Sequence, residues 1–329
     1  MKLDCYASHS HYWDHLAPIW DAVAPAWRGD VWSRSTRQPW GRPIRNPLPA
    51  DRIWLVAGWQ DAKRLRPHPV IYVEHGAGQT YRDLTAGLSA HYSGGEHYGV
   101  DVRGYICPST TVAGRWVDRD VPAVAVGCPR LDRWLSSPST PHQDTIAVAW
   151  HWECRILPET RSAWRHYKPR IGACVERWAT QGFRVVLHAH PRAQDQIEHD
   201  LARVGLTLER NVDAVMDAAL LIADNTSLMY EFAALDRPVI ALNAPWYRRD
   251  VHHGLRFWDM VPGLQVQDPD DLAEVDVARY ITSDPYRDVR RSIVADVYAS
   301  LDGHAAERAA GFIHQIVGGA DAGTHVQFQ

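Results

Sequence analysis

Three short segments, each directly after an apolar run, gather the side chains able to act on a phosphorylated substrate. They are Glu74-His75-Gly76-Ala77-Gly78, His188-Ala189-His190-Pro191-Arg192 and Asp224-Asn225-Thr226-Ser227. An imidazole titrates near neutrality, so His75 can take a proton from a hydroxyl, and the glycines beside it permit close approach of a substrate. The competing reading is a histidine that only hydrogen-bonds its own loop. His190, with Arg192 at the next helix start, is suited to holding a pyrophosphate. His188 and His190 are two residues apart in extended chain and point to opposite sides, which argues against joint metal chelation. Asn225, Thr226 and Ser227 set small polar side chains beside the free N–H groups of a helix start, an arrangement that serves either an anion site or an ordinary cap. Asp302-Gly303-His304 with Arg308 reads, by itself, as a surface helix cap.

These segments need elements to position them. Leu220–Ile222 is a buried strand, Leu228, Phe232 and Leu235 share one helical face, Asp236-Arg237-Pro238 ends that helix, and Val239–Leu242 is the next strand. The result is a βαβ unit whose polar turn lies at the carboxyl end of a parallel strand, where open α/β sheets bind ligands. Lys2–Ala7 is a first strand, followed by a loop Ser8-His9-Ser10-His11 and a helix carrying Trp13, Leu16, Ile19, Trp20 and Val23. Residues 27–50 are rich in Pro, Arg and Trp and read as irregular. Short strands are expected at 52–57, 69–73, 105–107 and 123–126, with at most a brief helix at 59–65. After the Ser/Pro-rich stretch at 136–143 the alternation restarts, with a strand at 145–150, a helix at 159–181, a strand at 183–187 and a helix at 193–204. A helical region at 286–317 closes the chain. This pattern predicts an α/β protein with two Rossmann-like domains, residues 1–135 and 144–329, facing a cleft, with the final helix a candidate to cross back.

Composition narrows the class. The chain has 329 residues, 46% hydrophobic and 22% charged, with mean hydropathy -0.34. No apolar run of about 18 residues is present, and charges interrupt the N-terminal stretch, so neither an integral membrane segment nor a signal peptide is expected. Five scattered cysteines without a C-x-x-C read as free thiols of a cytoplasmic protein. The net charge of -4 gives no global attraction to nucleic acid. No H-E-x-x-H, G-x-G-x-x-G or P-loop motif occurs, which disfavours zinc, dinucleotide and P-loop chemistry. The 15 tryptophans read mostly as packing.

In order along the chain, these motifs resemble the catalytic part of the CDP-glycerol glycerophosphotransferase family, teichoic-acid-polymerase-like enzymes of the GT-B glycosyltransferase superfamily. HGAG (75–78) resembles the family's H-G-T-P, GCPRLDRW (127–134) its G-Y-P-R-x-D, and AHPR (189–192) its H-P segment. ADNTS (223–227) with YEFAALDRPVI behind it resembles S-D-x-S-S and the following helix and strand. Residues 247–263 resemble the segment ending in P-G, and DGHAAER (302–308) the terminal D-G-x-x-x-x-R. Ala77 and Gly78 stand where the family has Thr-Pro, in a loop that faces the acceptor.

The resemblance implies a metal-independent transferase with no cofactor beyond its nucleotide-diphosphate-activated donor, moving a glycosyl or glycerophosphate group to an acceptor hydroxyl. His75 would be the general base. His190, Arg192, Asn225, Thr226, Ser227 and Glu231 would bind the donor, while His9, His11, Gly76, Arg130, Asp302 and Arg308 would line the acceptor side or cleft. The acceptor could be a polyol phosphate, a glycan or a modified DNA base. Three other readings stay open: a phage-type DNA glycosyltransferase acting on hydroxymethylated bases, a nucleotide-sugar epimerase, and a non-catalytic nucleotide-binding module.

Overall fold

The computed structural model describes residues 1–45, 47–75, 99–117, 121–137, 140–153, 161–247 and 260–322. They fall into two compact units, one holding Met1–His75, residues 99–137 and the chain from Asp296 on, the other Pro138–Ala295.

In the first unit, β1 (Lys2–Ala7), β2 (Arg28–Ser33), β3 (Arg42–Pro43), β4 (Arg52–Val56), β5 (Val70–Val73), β6 (Val102–Cys107) and β7 (Ala123–Ala125) form one parallel sheet, ordered β3-β2-β1-β4-β5-β6-β7. Successive side chains alternate between its two faces. Leu3, Cys5, Ile53, Leu55, Ile71 and Val73 pack on one face beneath α1 (Ser10–Ala22). Tyr6, Trp54, Val56, Tyr72 and Tyr105 pack on the other, with Trp59 of α2 (Trp59–Arg64) and Trp116 of α3 (Thr110–Val117). Burial on both faces is why β4 and β5 read as continuous apolar runs.

The second unit contains β8 (His142–Trp150), β9 (Arg184–Ala189), β10 (Ala218–Ala223), β11 (Val239–Leu242) and β12 (Leu264–Val266), again parallel, ordered β12-β11-β10-β8-β9. Around it lie α5 (Trp164–Thr180), α6 (Gln194–Ala202), α7 (Val212–Met216), α8 (Leu228–Ala233), α9 (Pro269–Glu274), α10 (Val277–Ser283) and α11 (Arg287–Val297), the short α4 (Asp132–Ser136) having closed the preceding segment. The α/β class with parallel sheets is as expected.

Several local expectations need correction. Residues 27–50 are not wholly irregular, because β2 lies alongside β1 as a half-buried strand whose polar residues mask it. The buried Asp4 carboxylate ties it down, accepting from Asp30 N–H at 3.0 Å and Trp32 Nε1 at 2.8 Å. The helix following β1 starts at Ser10, inside the expected loop. The 136–143 linker is shorter, since α4 runs to Ser136 and β8 begins at His142. Leu235 lies beyond α8. Asp236, in the left-handed region at φ 56°, stops that helix and gathers Arg287, Arg290 and Arg291, whose hydrogen bonds outweigh its partial burial and hold its carboxyl at about 2.

The closing helical region is two helices, and the second, α12 (Ala305–Ala322), packs against α1 in the first unit. Gly104 lets it approach β6, for a Cβ there would lie 2.4 Å from Ile316 Cδ1. Asp132 caps α12 across the chain, its two oxygens accepting from Ala305 N–H at 3.1 Å and Ala306 N–H at 2.7 Å. Gly127, at φ 91°, brings the preceding turn against the Ser300 carbonyl, leaving no room for a Cβ. Among the described residues, no helix is long and apolar enough to cross a membrane. Cys5, Cys107, Cys128 and Cys174 are buried free thiols. Cys154 lies outside the described residues.

Candidate functional site

Each sheet has a point where its strand order reverses, and chemistry-bearing side chains collect there. In the first unit the reversal lies between β1 and β4. The segment after β1 carries His9 and opens α1, while Gly58, after β4, gives space to Tyr12: a Cβ would lie 2.5 Å from the Tyr12 ring. Tyr12, His15, Leu16 and Ile19 are buried at helical spacing, which draws a histidine into the apolar face of α1.

His75 stands at the end of β5, one residue past Glu74, whose N–H still bonds the Ile106 carbonyl at 2.8 Å. Its ring meets Tyr12 edge-on with centroids 4.9 Å apart, and lies 5.7 Å from His15 and 6.4 Å from His11. His11 stacks with His9 at 5.4 Å. Burial, with the charges of Arg130 and His75 adding to it, holds His15 well below the usual imidazole range, so its ring is neutral. His9, His11, Tyr12, His15 and His75 thus form one aromatic group, with Arg130 supplied by the 3-10 turn Pro129–Leu131 that packs on α1. Gly76 lies outside the described residues.

Asp302 and Arg308 have a bracing arrangement. They form a two-pronged ion pair at 2.8 and 2.9 Å, and Arg308 also donates to the Val126 carbonyl at 2.8 Å. The hydrogen bonds from Arg308 hold the Asp302 carboxyl well below its ordinary value. This geometry ties the start of α12 to the segment after β7.

In the second unit the reversal lies between β8 and β10. Three adjacent strand ends contribute: His151-Trp152 after β8, His190 and Arg192 after β9, and Asp224–Ser227 after β10. His188 turns inward and donates Nδ1–H to the Glu209 carbonyl at 2.8 Å, while His190 is half-buried. The His190 Nδ1 accepts from Arg192 N–H at 3.2 Å, which places the proton of the neutral ring on Nε2. His190 lies 5.4 Å from the His151 ring and 6.3 Å from Trp152, and the Arg192 guanidinium sits 4.9 Å from the Trp152 ring centre.

Asp224 is buried beneath this surface. Its Oδ1 accepts from His151 N–H at 2.6 Å; its Oδ2 accepts from Ser162 Oγ at 2.9 Å and Ala163 N–H at 2.8 Å. Burial nevertheless pushes the carboxyl up to about 7. Thr226 Oγ1 accepts from Leu228 N–H at 3.4 Å, and Ser227 is the cap residue of α8 without a side-chain cap bond. Asn225 and Thr226 are buried, and Glu231 more deeply still at 1% exposed, below the turn. Tyr247 closes the inner side, its hydroxyl donating to the Arg161 carbonyl at 2.7 Å, with burial raising its pKa.

The sequence motifs named His75, His190, Arg192 and the 224–227 turn as candidates, and the structure sets His15 beside the first and His151 and Trp152 beside His190. His15 follows His11 by one helical turn, which was a usable signal. His151 and Trp152 follow a fully apolar strand, but only the strand order places them beside Arg192.

Residues 169–315 match the family model described as CDP-glycerol:poly(glycerophosphate) glycerophosphotransferase. No curated protein sequence matches the chain. Among solved structures it is similar to the wall teichoic acid polymerase TagF, in a variant soaked with CDPG, at 14% identity and TM-score 0.65 over 98% of this chain and 90% of that one. It is similar to S. aureus MnaA in a co-structure with UDP, at 13% identity and TM-score 0.61 over 97% of both chains. It is also similar to the Neisseria meningitidis UDP-GlcNAc 2-epimerase bound to UDP-GlcNAc, at 12% identity and TM-score 0.56 over 96% of this chain and 100% of that one.

Proposed function

We propose that the protein is a nucleotide-donor transferase of GT-B fold, with CDP-glycerol as its donor and a polyol phosphate hydroxyl as its acceptor; its residues 169–315 match the CDP-glycerol:poly(glycerophosphate) glycerophosphotransferase family model. The observation that carries this reading is that the matched residues include His190, Arg192 and Asp224–Ser227, the groups at the reversal point of the second sheet. His190 Nε2–H and the Arg192 guanidinium supply donors for the diphosphate, with the 226–227 turn beside them. The TagF structure soaked with CDPG supports the choice of nucleotide.

The chemistry follows from these groups. The acceptor oxygen attacks the phosphorus bearing glycerol and its proton passes to His75. The bond to the bridging oxygen breaks, and CMP departs with its charge met by His190 and Arg192.

The UDP-GlcNAc 2-epimerase likeness favours a second reading, in which the same cationic groups hold UDP while a sugar is epimerised. Incubating the protein with CDP-glycerol and a glycerol phosphate oligomer should release CMP in step with acceptor extension. Absence of CMP together with conversion of UDP-GlcNAc to its 2-epimer would replace the transferase reading. Extension of a glycan or of hydroxymethylated DNA instead would change the acceptor alone.

A further inference from the structure

The carboxyl ends of β8 and β9 are aligned by register, Trp150 pairing with Ala189, and His190 N–H bonds the Trp150 carbonyl at 2.8 Å. That pairing brings the residue two past Trp150 beside the residue three past Ala189, and these are Trp152 and Arg192. The main chain on both sides is fixed: His151 N–H is held by Asp224, and Arg192 N–H by the His190 ring. On this rigid base, the exposed Arg192 head group lies over the half-buried Trp152 indole at 4.9 Å, within cation–π range.

We propose that Trp152 is a positioning residue for donor recognition, its indole face holding the Arg192 guanidinium in the orientation that meets the donor's diphosphate. This inference rests on the donor reading above and adds a residue that the sequence motifs did not include. An arginine on a surface loop surrenders rotamer freedom when it binds a ligand, and a planar face that pre-orders it reduces that loss. Stacking engages the face of a guanidinium, and its planar N–H edge is the part that matches phosphate oxygens with two parallel hydrogen bonds. His190, 6.3 Å from the same indole, would then present Nε2–H beside that edge.

The test is calorimetric binding of CDP-glycerol and, separately, of inorganic pyrophosphate to the wild type, Trp152→Leu, Trp152→Phe, Arg192→Met and the Trp152→Leu/Arg192→Met double variant. Circular dichroism melts accompany each to establish folding. Trp152→Leu should weaken both ligands by roughly three- to tenfold, as expected for an exposed cation–π contact plus lost pre-ordering. Trp152→Phe, which keeps an aromatic face, should recover affinity to within about twofold. In the Arg192→Met background Trp152→Leu should cause no further loss, since its effect passes through the arginine. Turnover should show the change in donor KM with kcat little altered.

Additive losses in the double variant would overturn the proposal. So would weakening of CDP-glycerol alone with pyrophosphate unaffected, a result that would assign Trp152 to the nucleobase. If the wild type binds pyrophosphate with the predicted Trp152–Arg192 coupling but does not bind CDP-glycerol, the positioning role stands and the donor identity falls.

Discussion

Replacing Asp224 by Asn removes a buried charge while keeping the shape of the side chain. The carboxyl is 1% exposed, and burial raises it from 3.8 to about 7 despite three hydrogen-bond donors. Each unit of such a shift corresponds to about 1.4 kcal/mol, so the whole displacement represents on the order of 4 kcal/mol. Its sign is set by proton uptake: the folded state holds the proton to higher pH than the unfolded state. This group's contribution to stability is therefore complete below about pH 4 and is lost as pH rises through 7. At pH 5 the wild type carries a neutral carboxylic acid, whereas the Asn amide sets its NH2 against a donor on one side, so the offset between the two proteins at that pH serves as the reference. Between pH 5 and pH 8 the wild type should lose about 3 kcal/mol relative to Asp224→Asn, because only the wild type acquires a buried charge. Urea unfolding of both proteins at the two pH values measures this difference directly, since every other titrating group is common to both. Parallel stabilities across the window would show that the three donors keep Asp224 ionised throughout, and the burial argument would be wrong.

Three further outcomes follow from the geometry. Gly127→Ala places a Cβ 2.3 Å from the Ser300 carbonyl oxygen at a positive φ, and should cost about 1–3 kcal/mol, read as a lower melting temperature with CDP-glycerol affinity unchanged. Asp132→Ala leaves the Ala305 and Ala306 N–H groups without their cap and should cost about 1–2 kcal/mol, seen as faster amide exchange at the start of α12. Thr226→Ala and Ser227→Ala should each weaken CDP-glycerol binding by about 1–3 kcal/mol; unaltered calorimetric affinity in both folded variants would remove the turn from the donor site.

Much of this arrangement was legible in the residues because parallel strands buried on both faces read as short apolar runs, and the polar groups after them mark their carboxyl ends. The turn after β10 and His190-Pro191-Arg192 were visible for that reason. Strand β2 was not, because Arg28, Asp30 and Trp32 are partly exposed and owe their order to the Asp4 carboxylate, a partner distant in sequence. Trp152 escaped notice because nothing local relates it to Arg192, and their proximity comes from β8 and β9 pairing in register. The family-like motifs divide by physical role once their contacts are known. Gly127, Asp132, Asp302 and Arg308 clasp α12 to the first unit. Arg237, behind the 224–227 turn, is buried and donates to the Met216 and Ala218 carbonyls. These partners are distant in sequence, so the motifs alone do not reveal them.

In the proposed transfer from CDP-glycerol, His75 accepts the acceptor's proton. The measurement that tests it most directly is single-turnover release of CMP from saturating CDP-glycerol in the presence of a glycerol phosphate oligomer, comparing the wild type with His75→Ala at matched folded concentration. A general base contributes roughly 10²–10⁴-fold to rate, so the variant should bind donor with wild-type affinity and release CMP at least about a hundredfold more slowly. Release at the wild-type rate, or loss of donor binding equal to that of His190→Ala, would contradict it.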